Sequence, residues 1–288
     1  MALAMGTTAV LLLSCPDQRG IVAAIADFVY RHGGNILDAQ QHTDRTDGVF
    51  FQRVEFALDE CDLDRDQIES ALAPIVERFR LRCSLGFSDD PARLGVLFSR
   101  EPHCLVDLLA RSRRGELAVE IPVVVSNHPD HAEIAEWFGV DFRYLPVTHD
   151  TKAEQEEALQ ATLVEYGVNL VVLARYMQVL SAGFVERWPG SIINIHHSFL
   201  PAFMGGRPYH QAHERGVKIV GVTAHYATAE LDEGPIIDQD VVRVSHRDSV
   251  EDLQRRGRDL EVAVLARAIR AHVEHRVLVH GHRTVVFD

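Results

Sequence analysis

Residues 192–203 read Ile-Ile-Asn-Ile-His-His-Ser-Phe-Leu-Pro-Ala-Phe, an apolar strand that runs directly into a polar loop. Because successive side chains of a strand point to opposite faces, Asn194 and His196 share one face. In an open α/β sheet the ligand crevice lies beyond the carboxyl ends of the strands, which is where this polar pair occurs. The segment therefore predicts the fold class and also the edge of the sheet that carries a site.

The rest of the chain from residue 94 onward alternates strands with helices. Strands are predicted at 94–98, 121–126, 143–145, 170–173, 192–195, 219–225 and 236–244, and helices at 104–113, 131–138, 151–166 and 250–272. This alternation predicts a doubly wound, mostly parallel α/β sheet that the last helix closes.

The first ninety residues follow a different pattern, β-α-β-β-α-β. Strands are predicted at 9–14, 36–43, 49–58 and 81–87, and helices at 21–32 and 64–79. The order is that of a ferredoxin-like α+β domain. The polar run Ser88–Pro91 has the composition of a linker, so we expect a front domain at 1–88 and a second domain at 89–288.

Composition restricts the class of partner. A formal charge of −13 opposes encounter with nucleic acid or an anionic membrane, and no apolar run approaches the roughly 20 residues of a membrane-spanning helix. The four cysteines, with no C-x-x-C pair, favour reduced thiols in the cytoplasm over a disulfide framework. A small molecule is the expected ligand.

The polar pair on the central strand suits acyl chemistry. The Asn194 amide and a protonated His196 can both donate to one oxygen, which stabilises the oxyanion that forms when an acyl carbon is attacked. Asp232 lies in the turn-rich run Leu-Asp-Glu-Gly-Pro at 231–235. If that loop folds against His196, its carboxylate is placed to accept a proton from the nucleophile.

Three motifs together resemble a known family. They are Asn194-x-His196 with Ser198-x-Leu200-Pro201, then Gly221-x-Thr223-x-His225, and Asp232-x-Gly234-Pro235-Ile236-Ile237. They look like the formyltransferases that use 10-formyltetrahydrofolate. The longer run at 192–203, the Gly206–Ala212 segment and the extra front domain most resemble the formyltetrahydrofolate deformylases among them. The resemblance implies hydrolysis of 10-formyltetrahydrofolate to formate and tetrahydrofolate, with formate supplied to one-carbon and purine metabolism.

The resemblance also implies a set of site residues. Asn194, His196 and Asp232 would be catalytic, and Tyr176, Met177, Leu180, Leu231 and Gly234 would contact the folate, which is substrate rather than cofactor. Gln178 departs from the family, where a basic residue is usual. No cofactor and no metal are expected, because His210 and His213 lack the further spaced ligands that a zinc site needs.

Water is favoured over an amine as the acceptor. The similar glycinamide ribonucleotide transferases hold the acceptor phosphate on a Gly/Ser-rich turn after the first strand of this domain. The turn here, 98–104, contains Glu101 and Pro102, which add a negative charge and remove an amide donor. Formyl transfer to an amine such as glycinamide ribonucleotide stays open as an alternative, as does a non-catalytic folate-binding or amino-acid-sensing protein.

The front domain resembles the ACT module in the runs 15–21 and 34–36. Such modules commonly dimerise and bind an amino acid at the first strand-helix turn, although some bind no ligand and serve only for assembly, and both alternatives stay open here. Asp17, Gly20 and Asn35 are the implied effector contacts, and a homo-oligomer is expected because exposed sheet edges are usually covered.

Overall fold

A computed structural model describes residues 6–202 and 207–288. Phe203, which ends the run quoted above, and Gly206, which begins the Gly206–Ala212 segment, lie outside the described residues. The chain forms two compact units that divide after Asp90, and the second unit runs from Pro91 to Val273. Across the described ranges every helix is too short or too polar to span a lipid bilayer.

The first unit has the expected ferredoxin-like fold. Its elements are β1 (Thr8–Pro16), α1 (Ile21–Arg31), β2 (Asn35–Asp44), β3 (Val49–Ala57), α2 (Arg65–Phe79) and β4 (Arg82–Phe87). The strands form one antiparallel sheet in the order β2-β3-β1-β4. Gly20 precedes α1 at a φ of 95°, a conformation that glycine adopts without steric cost. Ile25, Phe56 and Leu72 lie in the core between the helices and the sheet.

The second unit is the expected doubly wound α/β domain. Its first half comprises β5 (Ala92–Phe98), α3 (His103–Arg113), β6 (Val119–Ser126), α4 (Ala132–Phe138), β7 (Asp141–Tyr144), α5 (Lys152–Glu165) and β8 (Leu170–Leu173). Its second half comprises α6 (Ala182–Val185), β9 (Ile192–His196), α7 (Pro208–Arg215), β10 (Ile219–Tyr226), β11 (Ile236–Arg243) and α8 (Val250–Val273). The prediction of a mostly parallel sheet is confirmed, because β5 to β9 are parallel, β10 alone runs the other way, and β11, antiparallel to β10, returns to the direction of the other strands.

The strand order explains where the site lies. The sheet reads β11-β10-β9-β8-β5-β6-β7, so the direction of winding reverses between β5 and β8. A crevice opens at such a switch point, beyond the carboxyl ends of the strands. The loops that leave β5, β8 and β9 all start at this edge. Strand β10, antiparallel to β9, adds its own side chains beside them.

The C-terminal residues depart from the predicted domain division. Two short strands, β12 (Val277–His280) and β13 (Arg283–Val286), follow the helix that was expected to close the domain. Residues 274–280 and 285–288 belong to the first unit, whereas 281–284 belong to the second. The physical reason is apolar burial, since Phe287 is buried against Leu12 and Phe51 of the first sheet. The range 89–288 is therefore not one contiguous structural unit.

Candidate active site

His196 and Asp232 meet at the end of β9. His196 Nδ1 lies 3.1 Å from Asp232 Oδ1, and both side chains are more than nine-tenths buried. A carboxylate oxygen only accepts, so the imidazole donates its Nδ1 proton. His196 Nε2 is buried and has no hydrogen-bond partner among the described residues. The contact with Asp232 therefore fixes the ring and leaves Nε2 aimed at a ligand.

Asp232 is held in a strained and polar position. Its φ of 58° is left-handed, a conformation that aspartate tolerates better than most residues. Burial alone would raise the pKa of Asp232, but the hydrogen bond from His196 lowers it below its ordinary value. The carboxylate is therefore ionised at neutral pH and able to accept a proton.

His225 orients the Asn194 amide, a role that we did not predict from the sequence. The antiparallel register places His225 opposite Asn194, and Asn194 Nδ2 lies 3.1 Å from His225 Nε2. On its other side, His225 Nδ1 lies 2.9 Å from the carbonyl oxygen of Tyr226 and donates to it. Burial lowers the pKa of His225 despite that bond and the nearby Asp232 carboxylate, so the ring is neutral and Nε2 accepts from Asn194. The second amide proton of Asn194 is left for a ligand.

Replacing His225 with leucine is expected to lower kcat roughly tenfold to a hundredfold with little change in KM, because the amide donor loses its fixed orientation. The informative comparison is a double-mutant cycle with Asn194→Ala. If His225 acts through Asn194, the His225 change has no further effect once the amide is gone. Equal losses in both backgrounds would contradict the positioning role.

The loop after β9 is fastened to β10 by one buried threonine. Thr223 Oγ1 donates to the carbonyl of Ser198 at 2.9 Å and accepts from the Leu200 backbone amide at 3.0 Å. Gln239 of β11 donates to the same hydroxyl oxygen at 2.9 Å. These bonds connect β9, β10 and β11 and fix the position of His196 at the end of β9.

The polar residues lie in a cleft of about 270 Å³ whose rim is apolar. Among the predicted substrate contacts, Tyr176, Met177, Leu180 and Leu231 line the cleft. Met177, Val179 and Leu231 are all more than half exposed there, although large apolar side chains usually avoid water. A flat apolar ligand laid along the rim would cover all three.

Gly234, the fifth predicted contact, does not line the cleft. It is buried behind Asp232, and a Cβ added at this position would collide with the carbonyl oxygen of Tyr226 and approach the His225 ring. Glycine is required here so that the Asp232 loop can pack closely against β10. The structure gives Gly234 a backbone-packing role, and its contact with the folate stays a prediction.

The loop from Arg175 to Leu180 is anchored by side chains of other elements. Ser99 Oγ, just after β5, accepts from the Met177 backbone amide at 3.0 Å, and the Ser99 amide donates to the Arg175 carbonyl at 3.2 Å. Gln155 of α5 donates to the Tyr176 hydroxyl at 3.0 Å. The loop that forms the apolar rim of the cleft is therefore held in place by hydrogen bonds to neighbouring elements. Gln178, the departure from the family pattern, also lines the cleft.

His197 is buried beside His196 and is electrically neutral. Burial, with the charges of Arg175 and His196, lowers the pKa of His197 from its ordinary value of 6.5 to about 3. Its ring packs 5.2 Å from His196 and 6.1 Å from Tyr209, measured between ring centroids. A group that takes up no proton above pH 4 is not a general acid or base at neutral pH.

The lowered pKa makes stability depend on pH. The unfolded chain protonates His197 below about pH 6.5, whereas the folded chain does so only near pH 3, so folded stability is lost as the pH falls. Between pH 7 and pH 5 the wild type is expected to lose about 2 kcal/mol more free energy of unfolding than His197→Leu. Urea unfolding followed by tryptophan fluorescence measures this in the second unit, because both tryptophans, Trp137 and Trp188, lie there. An equal pH dependence of the free energy of unfolding in both proteins would contradict the lowered pKa of His197.

One cluster within the described residues has the composition of a metal site. Atoms of His103, Cys104 and Glu261 lie within 4.8 Å of one another. Burial, with the charge of Glu261, raises the pKa of Cys104 well above its ordinary value, so the thiol is protonated. Glu261 accepts hydrogen bonds from His103 at 2.8 Å and from Tyr209 at 3.1 Å. The cluster is a hydrogen-bonded network around a buried carboxylate.

The first unit contains a separate open cavity at the turn between β1 and α1. Asp17 and Gly20, two of the predicted effector contacts, line it together with Thr43 and Phe50. Asn35 does not. It begins β2, whereas Thr43 lies near the other end of that strand, eight residues or roughly 25 Å away. The effector contact of Asn35 stays a prediction that this cavity does not include.

Comparisons with known proteins agree with this architecture. Residues 92–269 match the formyl transferase family, and residues 9–77 match the ACT domain. A formyltetrahydrofolate deformylase of Synechocystis is 58% identical over 280 residues, which cover 97% of this chain and 98% of the relative.

Solved structures give the same result. The crystal structure of a formyltetrahydrofolate deformylase from Pseudomonas syringae has a TM-score of 0.96 and 45% identity, and the match covers 100% of this chain and 96% of that one. Glycinamide ribonucleotide transformylase 1 from Symbiobacterium toebii has a TM-score of 0.67 and 38% identity over 71% of this chain and 98% of its own. The chain belongs to the formyl transferase family and, within it, to the formyltetrahydrofolate deformylases.

Proposed function

We propose that the chain hydrolyses 10-formyltetrahydrofolate, giving formate and tetrahydrofolate. The observation that carries the proposal is that Asn194, His196 and Asp232 line one cleft, in which His196 Nδ1 and Asp232 Oδ1 are buried 3.1 Å apart. Two donors and one ionised carboxylate are what the addition of water to a formyl carbon requires. Membership of the deformylases identifies the formyl donor.

In the first step, water attacks the formyl carbon. Both contacts of Asp232 with the neighbouring histidines involve Oδ1, at 3.1 Å from His196 and 3.9 Å from His225, and we assign Oδ2 to the water. Asp232 takes a proton from the water as the water oxygen bonds to the formyl carbon. The carbonyl oxygen becomes an oxyanion, which accepts from Asn194 Nδ2 and from His196 Nε2. Nδ1 donates its proton to Asp232, and Nε2 donates to the oxyanion, so both ring nitrogens of His196 carry a proton in this step.

In the second step, the tetrahedral intermediate collapses. Protonated Asp232 returns its proton to the folate nitrogen N10, the carbon–nitrogen bond breaks, and formic acid loses a proton to become formate. Atoms balance with one water consumed per formyl group. The steps use only protein side chains and water, and we propose that no metal or cofactor takes part.

Formyl transfer to an amine remains the second candidate because the transformylases share the fold. The turn after β5 argues against it. Pro102 precedes α3, and Glu101 beside it lies 3.6 Å from Arg258 and 3.9 Å from His103. Glu101 repels a doubly charged phosphate at the N-terminal end of this helix, and Pro102 offers no amide donor to hold it.

The test is to incubate the purified protein with 10-formyltetrahydrofolate, with and without glycinamide ribonucleotide. We expect stoichiometric formate and tetrahydrofolate in both reactions, at the same rate. Turnover only when the amine is present would replace hydrolysis by transfer.

For the front unit we propose regulation by an amino acid bound in the cavity at Asp17 and Gly20. Asp17, which lines this cavity, offers a carboxylate for the α-ammonium group of such a ligand. We further propose that the protein is a homo-oligomer, because the strands β2 and β4 form the two edges of this sheet and edges are usually covered. We also propose a cytoplasmic location. Light scattering and rates measured with each amino acid test the oligomeric state and the regulation.

A further inference from the structure

A second cavity, of about 230 Å³, lies within the catalytic unit beside the cleft. Arg175 and His197 line both cavities and form their shared wall. The remaining lining includes Glu101, Arg207, Arg258 and Glu261, so we call this space the arginine cavity. The hydrolysis described above assigns no part to it.

The charges that face the arginine cavity favour an anion. Three guanidinium groups face two carboxylates. Glu101 lies 3.6 Å from Arg258. Burial alone would raise the pKa of Glu261, but the hydrogen bond from His103 and the charge of Arg175 bring it below its ordinary value, so it is ionised and compensated. Arg258 lies near Glu101 and Arg175 lies near Glu261, so the charge of Arg207 makes the lining positive by one.

Arg175 has buried donors that are not used. Its side chain is 16% exposed, and its Nε and Nη1 atoms have no hydrogen-bond partner among the described residues, although Nε lies 3.5 Å from Glu261. Its φ of 66° is left-handed, which is unfavourable for an arginine. Buried donors without acceptors destabilise a protein. A planar guanidinium matches a carboxylate, which accepts two parallel hydrogen bonds.

We propose that the arginine cavity binds formate after its release from the folate, with Arg175 as the principal ligand. The proposal rests on the proposed hydrolysis, because that reaction produces a small carboxylate on the other side of the Arg175–His197 wall. Formate held there is separated from the tetrahydrofolate that still fills the cleft. With three heavy atoms, formate is expected to bind with a dissociation constant no tighter than about 1 mM.

The experiment uses the full-length Asp232→Asn variant saturated with 10-formyltetrahydrofolate, so that substrate occupies the formyl position. Binding of ¹³C-formate is followed by saturation-transfer NMR. We expect formate to bind to this complex as it does to the folate-free protein. Arg258→Gln, added to this variant, removes a charge that lines only the arginine cavity and is expected to weaken binding about three- to fivefold.

Two further variants make the comparison specific. Arg255→Gln removes an exposed arginine of the same helix, paired with Asp252 at 2.7 Å, and is the matched control with unchanged formate binding. Arg175→Met is expected to weaken binding tenfold or more, with partial recovery in Arg175→Lys.

Three results would overturn the proposal. They are loss of formate binding when folate is present, equal effects of Arg258→Gln and Arg255→Gln, and displacement of formate by an equal concentration of inorganic phosphate. The first would put formate at the formyl position or a folate carboxylate in the cavity. Failure of the hydrolysis itself would appear in the wild-type turnover assay and not in this titration.

Discussion

Asp232→Asn is expected to lower kcat by roughly 10³-fold or more, since a positioned general base contributes about 10²- to 10⁴-fold. An asparagine oxygen still accepts from His196 Nδ1, which lies 3.1 Å from Asp232 Oδ1, so the ring keeps its orientation. What is lost is the group that takes the proton from water and returns it to N10. Steady-state kinetics measures the loss in kcat.

Folate binding is the control for this variant. Because the exposed apolar rim at Met177, Val179 and Leu231 is unchanged, the dissociation constant for tetrahydrofolate should stay within about twofold of the wild-type value. Near-normal turnover would show that Asp232 is not the base. A large loss of folate affinity with intact kcat would make Asp232 a binding residue instead.

Removing either oxyanion donor is expected to lower kcat by roughly 10²- to 10³-fold, the usual cost of losing one such donor. Asn194→Ala removes the amide that His225 orients at 3.1 Å, and His196→Ala removes the buried, unpartnered Nε2. Residues that act as a unit give non-additive losses. The double variant should therefore be less impaired than the product of the two single effects.

A change confined to KM in either variant would contradict this assignment. Such a result would mean that Asn194 or His196 binds the ground state and the transition state equally well. Circular dichroism and tetrahydrofolate binding of the same preparations separate that outcome from misfolding.

Sequence periodicity was sufficient for the fold because the central strands of the second unit are mostly apolar, as in Leu170–Leu173, which is apolar throughout. Such strands are typical of a sheet covered on both faces. The contact between His196 and Asp232 was also predictable, because each residue lies in one of the motifs that resemble the family. The four-residue strands β12 and β13 were missed because alternation over so few positions is too weak a pattern.

The remaining features depend on which residues become neighbours in space. His225 orients Asn194 only because β9 and β10 pair antiparallel in one register, which the sequence does not specify. Arg175 and Glu261 are 86 positions apart in sequence, yet their side chains come within 3.5 Å. Gly234 and Asn35 do not line the cavities for which they were predicted, since a motif identifies a residue but not the side of the loop or the end of the strand where it lies.

The central claim is that water is the formyl acceptor. Turnover of 10-formyltetrahydrofolate in H₂¹⁸O, with no amine added, followed by mass spectrometry of the formate, tests it most directly. We predict one ¹⁸O atom in each formate molecule, with an equal amount of tetrahydrofolate formed. Unlabelled formate, or no formate until an amine acceptor is supplied, would contradict the account.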